Sequence, residues 1–278
     1  MKTQGSDLRN RSAGSAASTV SAAGTPSAAW RQRENRLLAV VLLLALVHGL
    51  IYVAIMPPWE HYEEPTHFEY AWLISSRAAL PQFPAYDQDK RREIAASMVE
   101  HGFFRTRNMV PNLDSGDEPI WIGFNVSGAL PLYHIAIALP LRLLAGANVD
   151  VQLYGARLVS LLLYILTVWI AGMVARELAP PGHALRYALP AIITLIPGFA
   201  DLMTAVNNDV GATFVFSLFV WTALRLLLRG FTARRCLATL AGATLCAFTK
   251  STVVVALPLA MLAIGFAICP PRRRGMMG

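Results

Sequence analysis

The sequence predicts an all-α protein, a polytopic helical bundle in which about six helices span a membrane. Apolar residues make up 55% of the 278 residues, and the mean hydropathy is +0.46; both values are typical of membrane proteins. The apolar residues gather in runs of about 20, the length at which a helix crosses the hydrocarbon core. The net charge is +7, but the basic residues lie beside the apolar runs and not among aromatic residues. We therefore expect the lipid bilayer as a partner and no nucleic acid.

The first 29 residues are rich in Ser, Ala, Gly and Thr. Such a composition buries too little apolar surface to fold, so residues 1–29 are predicted to form a disordered cytoplasmic tail. Residues 30–278 are predicted to form the membrane domain. Arginines precede its first apolar run, from Leu37 to Met56. Because positive charge favours the cytoplasmic side, this run is expected to begin in the cytoplasm and to end outside.

A long extracytoplasmic loop is predicted over residues 57–152, which hold twelve of the seventeen acidic residues. Apolar and aromatic residues recur at helical spacing in 66–79, which favours an amphipathic helix lying in the membrane interface. A second short helix is predicted over 87–100. Residues 102–128 contain several Pro and Gly residues without a clear period, so they are interpreted as a loop.

Residues 130–146 decide the predicted topology, and they allow two interpretations. The run is apolar, but it is only about 17 residues long and contains two prolines and Arg142. If it spans the membrane, nine later arginines fall outside; if it is an interfacial or half-inserted helix, all nine fall in the cytoplasm. The positive-inside rule favours the second interpretation.

Five further spans follow from that choice, and both termini are then cytoplasmic. The spans are predicted at about 154–175, 187–206, 209–228, 237–249 and 252–268. The three cysteines lie in or beside apolar segments, so they are predicted to be packing residues and not a disulfide framework.

One polar stretch stands out where the first span is expected to surface. Residues 57–70 contain four carboxylates and two histidines. Pro65 suits the first turn of a helix, so Glu63 and Glu64 are expected at the positive end of that helix, which favours their ionised form. An ionised carboxylate at a membrane surface is a candidate general base.

The sequence of this stretch resembles the first-loop motif of the GT-C superfamily of membrane glycosyltransferases. That superfamily includes protein O-mannosyltransferases and the lipid A aminoarabinose transferase. Pro57–Glu60 reads Pro-Pro-Trp-Glu, and Glu63–Phe68 reads Glu-Glu-Pro-Thr-His-Phe. The family motif usually reads Asp-Glu, so Glu63 stands where the catalytic Asp is expected. Pro131–Tyr133 also resembles a Pro-Pro-Leu-Tyr-Tyr element of GT-C relatives, without its first proline.

The resemblance implies an integral membrane enzyme that moves a sugar from a polyprenyl-phosphate donor to an acceptor hydroxyl. The expected location is the bacterial inner membrane, with the active site on the extracytoplasmic face. GT-C enzymes usually carry more spans. The chain is therefore expected to correspond to an N-terminal half, and it is interpreted as a fragment, a truncated gene or a minimal relative; in the first two cases a missing C-terminal half would be a further partner.

Three later segments resemble GT-C relatives in order and spacing: 154–158, 207–209 and 249–252. In the predicted topology they reach the same membrane face as Glu63 and Glu64. Asp209 matches a supporting acidic residue of the second outer loop, so it joins those two glutamates in the predicted catalytic set. The residues predicted to bind substrate are Arg157, Lys250, His67 and Asn208. Arg157 would hold the donor phosphate as a fork, and Lys250 would add a point charge.

No cofactor is predicted with certainty. The chain has no Gly-rich phosphate loop and no Cys or His metal spacing, so no metal ligand is assigned. A divalent cation stays an open alternative because His61 and His67 flank the carboxylates. The rival functions are a non-catalytic or truncated protein of the same fold, or a membrane transporter. A transporter is expected to carry interrupted spans in two related halves, and no such repeat is evident in the sequence.

Overall fold

The computed structural model describes residues 28–106, 110–113 and 118–269. Over these ranges the chain is helical and contains no β-strand, which confirms the predicted all-α class. The helices are α1 (Ala28–Ile55), α2 (Glu64–Ser76), α3 (Gln88–Glu100), α4 (Leu132–Leu143), α5 (Val149–Leu178), α6 (Leu185–Leu195), α7 (Pro197–Thr204), α8 (Asn208–Arg229), α9 (Ala233–Ala247) and α10 (Ala256–Ile268). The predicted tail lies outside the described residues except for its last two, which begin α1.

Four helical segments of the described chain are long and apolar enough to cross a membrane: α1, α5, α8 and Ser251–Ile268. Helices α6 and α7 would form a fifth span together, although they are bent by 69°. Six spans are therefore not confirmed. The predicted span 237–249 corresponds to α9, which has 15 residues and is only about 22 Å long. It also begins next to two arginines, which do not belong in a hydrocarbon core.

The bend between α6 and α7 interrupts the predicted span 187–206. Pro197 follows Ile196, which adopts an extended conformation, as residues before proline often do. The break leaves the carbonyl of Thr194 without its helical donor. Two side chains from other helices replace that donor: His48 Nδ1 lies 2.8 Å from the Thr194 oxygen, and Tyr164 donates to it at 3.2 Å. The bend is therefore built into the packing and is satisfied inside the protein.

Helix α5 is the centre of the bundle and packs against α1, α4, α6, α7 and α8. Two glycines allow α1 and α5 to approach closely. A Cβ atom on Gly49 would lie 2.3 Å from Leu161, and one on Gly172 would lie 2.9 Å from Leu38. Small residues at crossing points are typical of membrane helices, whose association depends on close packing.

The helices alternate in direction, so the bundle has two chemically different ends. One end holds several arginines, among them Arg186, which pairs with Glu34 at 2.8 Å, and Arg229, which pairs with Glu177 at 2.8 Å. We call it the basic end. The opposite end carries the end of α1, the starts of α5 and α8, and helices α2–α4; we call it the acidic end. The candidate residues all lie there.

Helix α2 is buried by protein on most of its surface, and its predicted place in the membrane interface stays a prediction. Ten of its thirteen residues are buried, because α3, α4 and residues 118–129 surround it. Its second buried carboxylate, Glu69, is held by Arg91 through bonds of 2.6 and 2.9 Å. A periodic apolar pattern does not distinguish a lipid neighbour from a protein neighbour, so this packing could not be predicted from the sequence. Helix α4 has 12 residues, about 18 Å, so it is too short to span a membrane; its interfacial placement stays a prediction.

Candidate functional site

The most buried charges of the acidic end form one ion pair between Glu64 and Arg157. Both side chains are 0% exposed. Arg157 binds the carboxylate as a fork, with Nε donating to Oε1 at 2.9 Å and Nη2 donating to Oε2 at 2.6 Å. Arg157 lies eight residues inside α5, two turns deeper than the start of the span. A buried pair of this kind is strongly coupled, because a low dielectric strengthens the attraction.

Every hydrogen-bonding position of this pair is occupied by the protein. The three remaining N–H groups of Arg157 donate to the carbonyls of Val53, Met56 and Pro57 at 2.8–3.3 Å, which completes the five donors of a guanidinium. Glu64 also accepts from the backbone of Trp59 at 3.1 Å and of Val206 at 3.2 Å. The prediction from the sequence that Glu64 and Arg157 lie at the same end of the bundle agrees with this contact. The geometry leaves neither a donor nor an acceptor for a substrate, so we assign both a positioning role.

Glu63 is oriented differently from its neighbour. It precedes α2 in a left-handed conformation with φ 56°, which is uncommon for a residue other than glycine. Its carbonyl accepts bonds from Thr66 Oγ1 at 2.9 Å and from the His67 backbone at 3.2 Å. Its side chain remains 38% exposed. The unusual turn therefore directs one of two adjacent carboxylates into the core and the other towards solvent.

His67 lies directly behind Glu63. Its Nε2 is 3.7 Å from Glu63 Oε2, and its imidazole is only 3% exposed. On the other side Nδ1 is 3.0 Å from Nε2 of His134, and the two rings are stacked at 16°. Burial, and to a smaller extent the positive charge of Lys250, lower the pKa of His67 to about 4, while Asp209 opposes the shift. His67 is therefore neutral at physiological pH.

Asp209 and Lys250 form the second ion pair of the site. The ammonium and Oδ1 of Asp209 are 2.6 Å apart, and the side chains are 23% and 42% exposed for Lys250 and Asp209. Asp209 lies in the first turn of α8, where its backbone donates to Oδ1 of Asn207 at 2.9 Å. The turn before Asp209 contacts the loop before Glu63, where Asn207 Nδ2 donates to the carbonyl of Tyr62 at 3.1 Å, so we group this ion pair with Glu63. We call Glu63, His67, Asp209 and Lys250 the Glu63 cluster.

Asn207 and Asn208 connect the loops around the cluster. Asn207 Nδ2 donates to the carbonyl of Tyr62 at 3.1 Å, which ties the start of α8 to the first outer loop. Asn208, predicted to bind substrate, is only 7% exposed. Within the described ranges its Oδ1 has no hydrogen-bond partner. A buried acceptor without a donor is costly, and it is the kind of atom that a substrate hydroxyl can satisfy.

His134 was not predicted from the sequence as a site residue, and Tyr133 was predicted without a role. Tyr133 accepts from the Asn207 backbone at 3.0 Å and contacts Ser160 at 2.9 Å, so α4 helps to hold the turn before α8. His134 is fully buried beside His67. The motif around Pro131 was a signal for Tyr133. No signal in the sequence pointed to His134, because its role depends on how α4 lies against α2.

His61 and His67 have different partners, which bears on the divalent cation left open above. His61 Nδ1 is 3.3 Å from Asp201, whereas His67 faces Glu63 and His134. Burial lowers the pKa of His61, which favours its neutral form. Among the residues that the structure describes, no three His, Cys, Asp or Glu side chains are grouped to hold a metal ion. We therefore assign no metal ligands.

An apolar cavity of about 330 Å³ lies where α6 and α7 bend. It is bounded by α5, α6, α7 and α8. Its lining is Thr167, Ile170, Ala171, Val174, Leu189, Ile193, Ile196, Phe199, Thr213, Phe216, Ser217 and Val220. Helix α7 leads from this cavity to the turn at 205–207, which contacts Glu64 and Tyr133.

Taken together, the acidic end combines a half-exposed carboxylate, a half-exposed ion pair and a rigid, fully bonded frame beneath them. This arrangement can accept a proton and bind an anion at one surface of an apolar bundle. No protein-family model, curated protein or solved structure matches the chain.

Proposed function

We propose that this chain is an integral membrane glycosyltransferase of GT-C type. It transfers a sugar from a polyprenyl-phosphate donor to an acceptor hydroxyl on the extracytoplasmic face of a bacterial inner membrane. The observation that carries the proposal is the Glu63 cluster: a carboxylate and an ammonium, both accessible, at the same end of a bundle of apolar helices. The motif resemblance around Glu63 supports it independently.

Glu63 is the proposed general base. The acceptor hydroxyl loses a proton as its oxygen attacks the anomeric carbon, and a positioned carboxylate accelerates such a step by about 10²–10⁴. Of the two adjacent glutamates, Glu63 is the accessible one, whereas Glu64 is fully buried in its ion pair. The proton therefore goes to Glu63, and Glu64 maintains the loop that presents it.

Lys250 is the proposed phosphate ligand, a role that the sequence also gave to Arg157. An ammonium carries three donors, and one contact joins it to Asp209. As the sugar–phosphate bond breaks, its electron pair passes to the phosphate oxygen, and a nearby positive charge stabilises that oxygen. Asp209 holds the lysine in place, and Asn208 offers its unpartnered Oδ1 to a sugar hydroxyl.

The apolar surroundings suit a lipid-linked donor. The 330 Å³ cavity at the α6–α7 bend is lined almost entirely by apolar side chains, which fits a section of an isoprenoid chain. The arginines of the basic end favour a cytoplasmic location for that end, and the Glu63 cluster then faces outward. A site on the far side of the membrane agrees with a donor that is attached to a lipid.

The proposal is tested with the full chain in lipid nanodiscs and a panel of labelled polyprenyl-phosphate sugars. Formation of a new glycosidic bond is detected by mass spectrometry. Glu63→Gln is expected to lower transfer about 10²-fold or more. The matched control is Glu60→Gln, an adjacent carboxylate of the same loop that lies outside the Glu63 cluster; it is expected to stay near the wild-type rate.

Two results would contradict the proposal in different ways. Equal rates for Glu63→Gln and wild type would remove Glu63 from the mechanism. Absence of transfer from every donor by the wild-type chain would contradict a glycosyltransferase. Movement of the lipid-linked sugar between leaflets without a new glycosidic bond would favour the transporter instead.

A further inference from the structure

Trp59 joins the first outer loop to two neighbouring elements, although it lies four residues before the proposed base. Its backbone N–H donates to Oε2 of Glu64 at 3.1 Å, and its indole N–H donates to Oγ of Ser97 on α3 at 2.8 Å. The residue is 0% exposed, and its ring meets Phe68 edge to face with the centroids 5.3 Å apart. Both N–H groups of Trp59 are therefore satisfied inside the protein.

The backbone of Trp59 is strained. Among the residues that the structure describes, Trp59 with φ 73° and Glu63 with φ 56° are the two that adopt a positive φ without being glycine. This left-handed region is a genuine outlier for a bulky residue. Such conformations persist where the surrounding structure holds them in place, and they cluster at functional sites. The two strained residues begin and end the turn 59–63, and the proposed base is its last residue.

Ser97 connects Trp59 to the central helix. An indole nitrogen can only donate a hydrogen bond, so Ser97 is the acceptor of that contact and its own hydrogen is free for another partner. The hydroxyl donates to Oδ1 of Asp150, in the first turn of α5. The other oxygen of Asp150 lies 3.1 Å from Nε2 of His101. Ser97 is only 5% exposed, so the chain of bonds from Trp59 to α5 is shielded from solvent at its middle.

The loop and α3 are thereby attached to α5 at two points. Arg157 binds the carboxylate of Glu64 with two N–H groups. Asp150 binds Ser97 at the start of the same helix. Residues 150 and 157 are seven positions apart, about two turns, so they lie on one face of α5. Trp59 links the two points, because its backbone is bonded to Glu64 and its ring to Ser97.

We propose that Trp59 is a positioning residue for Glu63, and that the bond from its indole N–H to Ser97 sets the direction of that carboxylate. The proposal rests on the proposed function. Because Trp59 is fully buried, it acts through the backbone of the turn and not through contact with a substrate. Without the bond to Ser97, the strained turn loses one of the contacts that hold it, and Glu63 samples directions in which it does not reach the acceptor hydroxyl.

The first test removes each partner of this bond in the transfer assay. Ser97→Ala removes the acceptor, and Trp59→Phe keeps a ring but removes the donor. Each is expected to lower kcat by roughly 10-fold or more with little change in donor KM, because the base is misplaced while the donor still binds. The double variant is expected to lose no more than the larger single loss, since both changes break the same bond. Ser76→Ala is the control, because the Ser76 hydroxyl donates to Leu73 within its own helix; it is expected to behave as wild type.

The second test does not depend on activity. Backbone hydrogen exchange is followed by mass spectrometry for the full chain in nanodiscs without substrate. Ser97→Ala is expected to speed exchange in peptides that cover residues 57–64 by about 10-fold, because the turn opens more often. Peptides from α8 are expected to exchange as in the wild type, and Ser76→Ala is expected to change neither region. Circular dichroism of each variant checks that it is folded, and Ser97→Ala decides the question where Trp59→Phe does not fold.

The outcomes separate this inference from the proposed function. Wild-type kinetics in Ser97→Ala, or unchanged exchange of 57–64 in the folded variant, would overturn the positioning role of Trp59. Losses that add up in the double variant, or a donor KM that rises as much as kcat falls, would overturn it as well. Absence of transfer by the wild-type chain would instead contradict the proposed function, while the exchange measurement would still decide whether the bond to Ser97 holds the turn.

Discussion

The substitution Glu64→Gln is expected to be among the most destabilising single changes at the acidic end. It leaves the guanidinium of Arg157 at 0% exposure without a counter-charge. Each carboxylate oxygen of Glu64 now accepts one N–H of Arg157 and one backbone N–H. The amide nitrogen of glutamine would replace one of these oxygens and place its own N–H groups against two donors. Removing one partner of a buried ion pair typically costs 3–5 kcal/mol. We therefore expect the free energy of unfolding to fall by about 3–5 kcal/mol.

The loss is measured by titrating the chain in mixed micelles with a denaturing detergent and following helix content. Glu60→Gln is the control, because Glu60 is only partly buried and lies outside the buried ion pair. Such a substitution is expected to change the free energy of unfolding by no more than about 0.5 kcal/mol. The double variant Glu64→Leu with Arg157→Met is expected to be more stable than Glu64→Gln, because no buried charge is left alone. A loss below about 1 kcal/mol for Glu64→Gln would refute the positioning role of the pair.

Three further predictions follow from the same geometry. Gly49→Ala is expected to cost about 1–3 kcal/mol, because the new Cβ would lie 2.3 Å from Leu161; Gly146→Ala, which meets nothing within 4 Å, is the control in the same unfolding titration. Lys250→Met is expected to raise the donor KM or lower kcat by at least 10-fold, because it removes roughly one charge-assisted contact. The control Lys90→Met is expected to change neither constant. Equal kinetics for both variants would contradict the phosphate role of Lys250. The pKa of His67 falls from its ordinary 6.5 to about 4 on folding, so the unfolded chain binds more protons between these values. Stability is therefore expected to fall as the pH drops from 6.5 to 4, and an unfolding titration of His67→Gln is expected to lose that part of the slope.

The sequence was sufficient for the helical class and for the place where the charges meet. Apolar runs of membrane length identified α1, α5, α8 and the segment Ser251–Ile268, because length and hydropathy are local properties. The prediction that acidic and basic residues far apart in the chain share one end also agrees with the ion pairs Glu64–Arg157 and Asp209–Lys250. Alternating helix directions are enough to bring these residues to the same end.

The assignment of roles could not be predicted from local sequence. Glu63 and Glu64 are adjacent and chemically identical, and only the left-handed turn at Glu63 decides which one is buried. Arg157 has no N–H group left for a substrate because three carbonyls at the end of α1 accept its remaining donors. These contacts cannot be read from the sequence around Arg157. The position of His134 beside His67 results from the packing of α4 against α2. No pattern in the sequence predicts that packing.

Two of the predicted spans are not confirmed as continuous helices of membrane length, and both differences have physical causes. Pro197 was a visible signal for the α6–α7 break, but proline is tolerated in membrane helices, so the pattern alone did not require a bend. Helix α9 was predicted as a span because its sequence is apolar after Arg235. Its 15 residues are too few for a bilayer, which shows that apolar character without length does not establish a span.

The central claim is that Glu63 takes the acceptor's proton at an outward-facing site. The most direct measurement is the rate of sugar transfer to a membrane-impermeant acceptor in right-side-out vesicles, for wild type, Glu60→Gln and Glu63→Gln. The account predicts transfer by the first two and a loss of about 10²-fold or more for Glu63→Gln. Undiminished transfer by Glu63→Gln, or transfer by the wild type only in inverted vesicles, would contradict it.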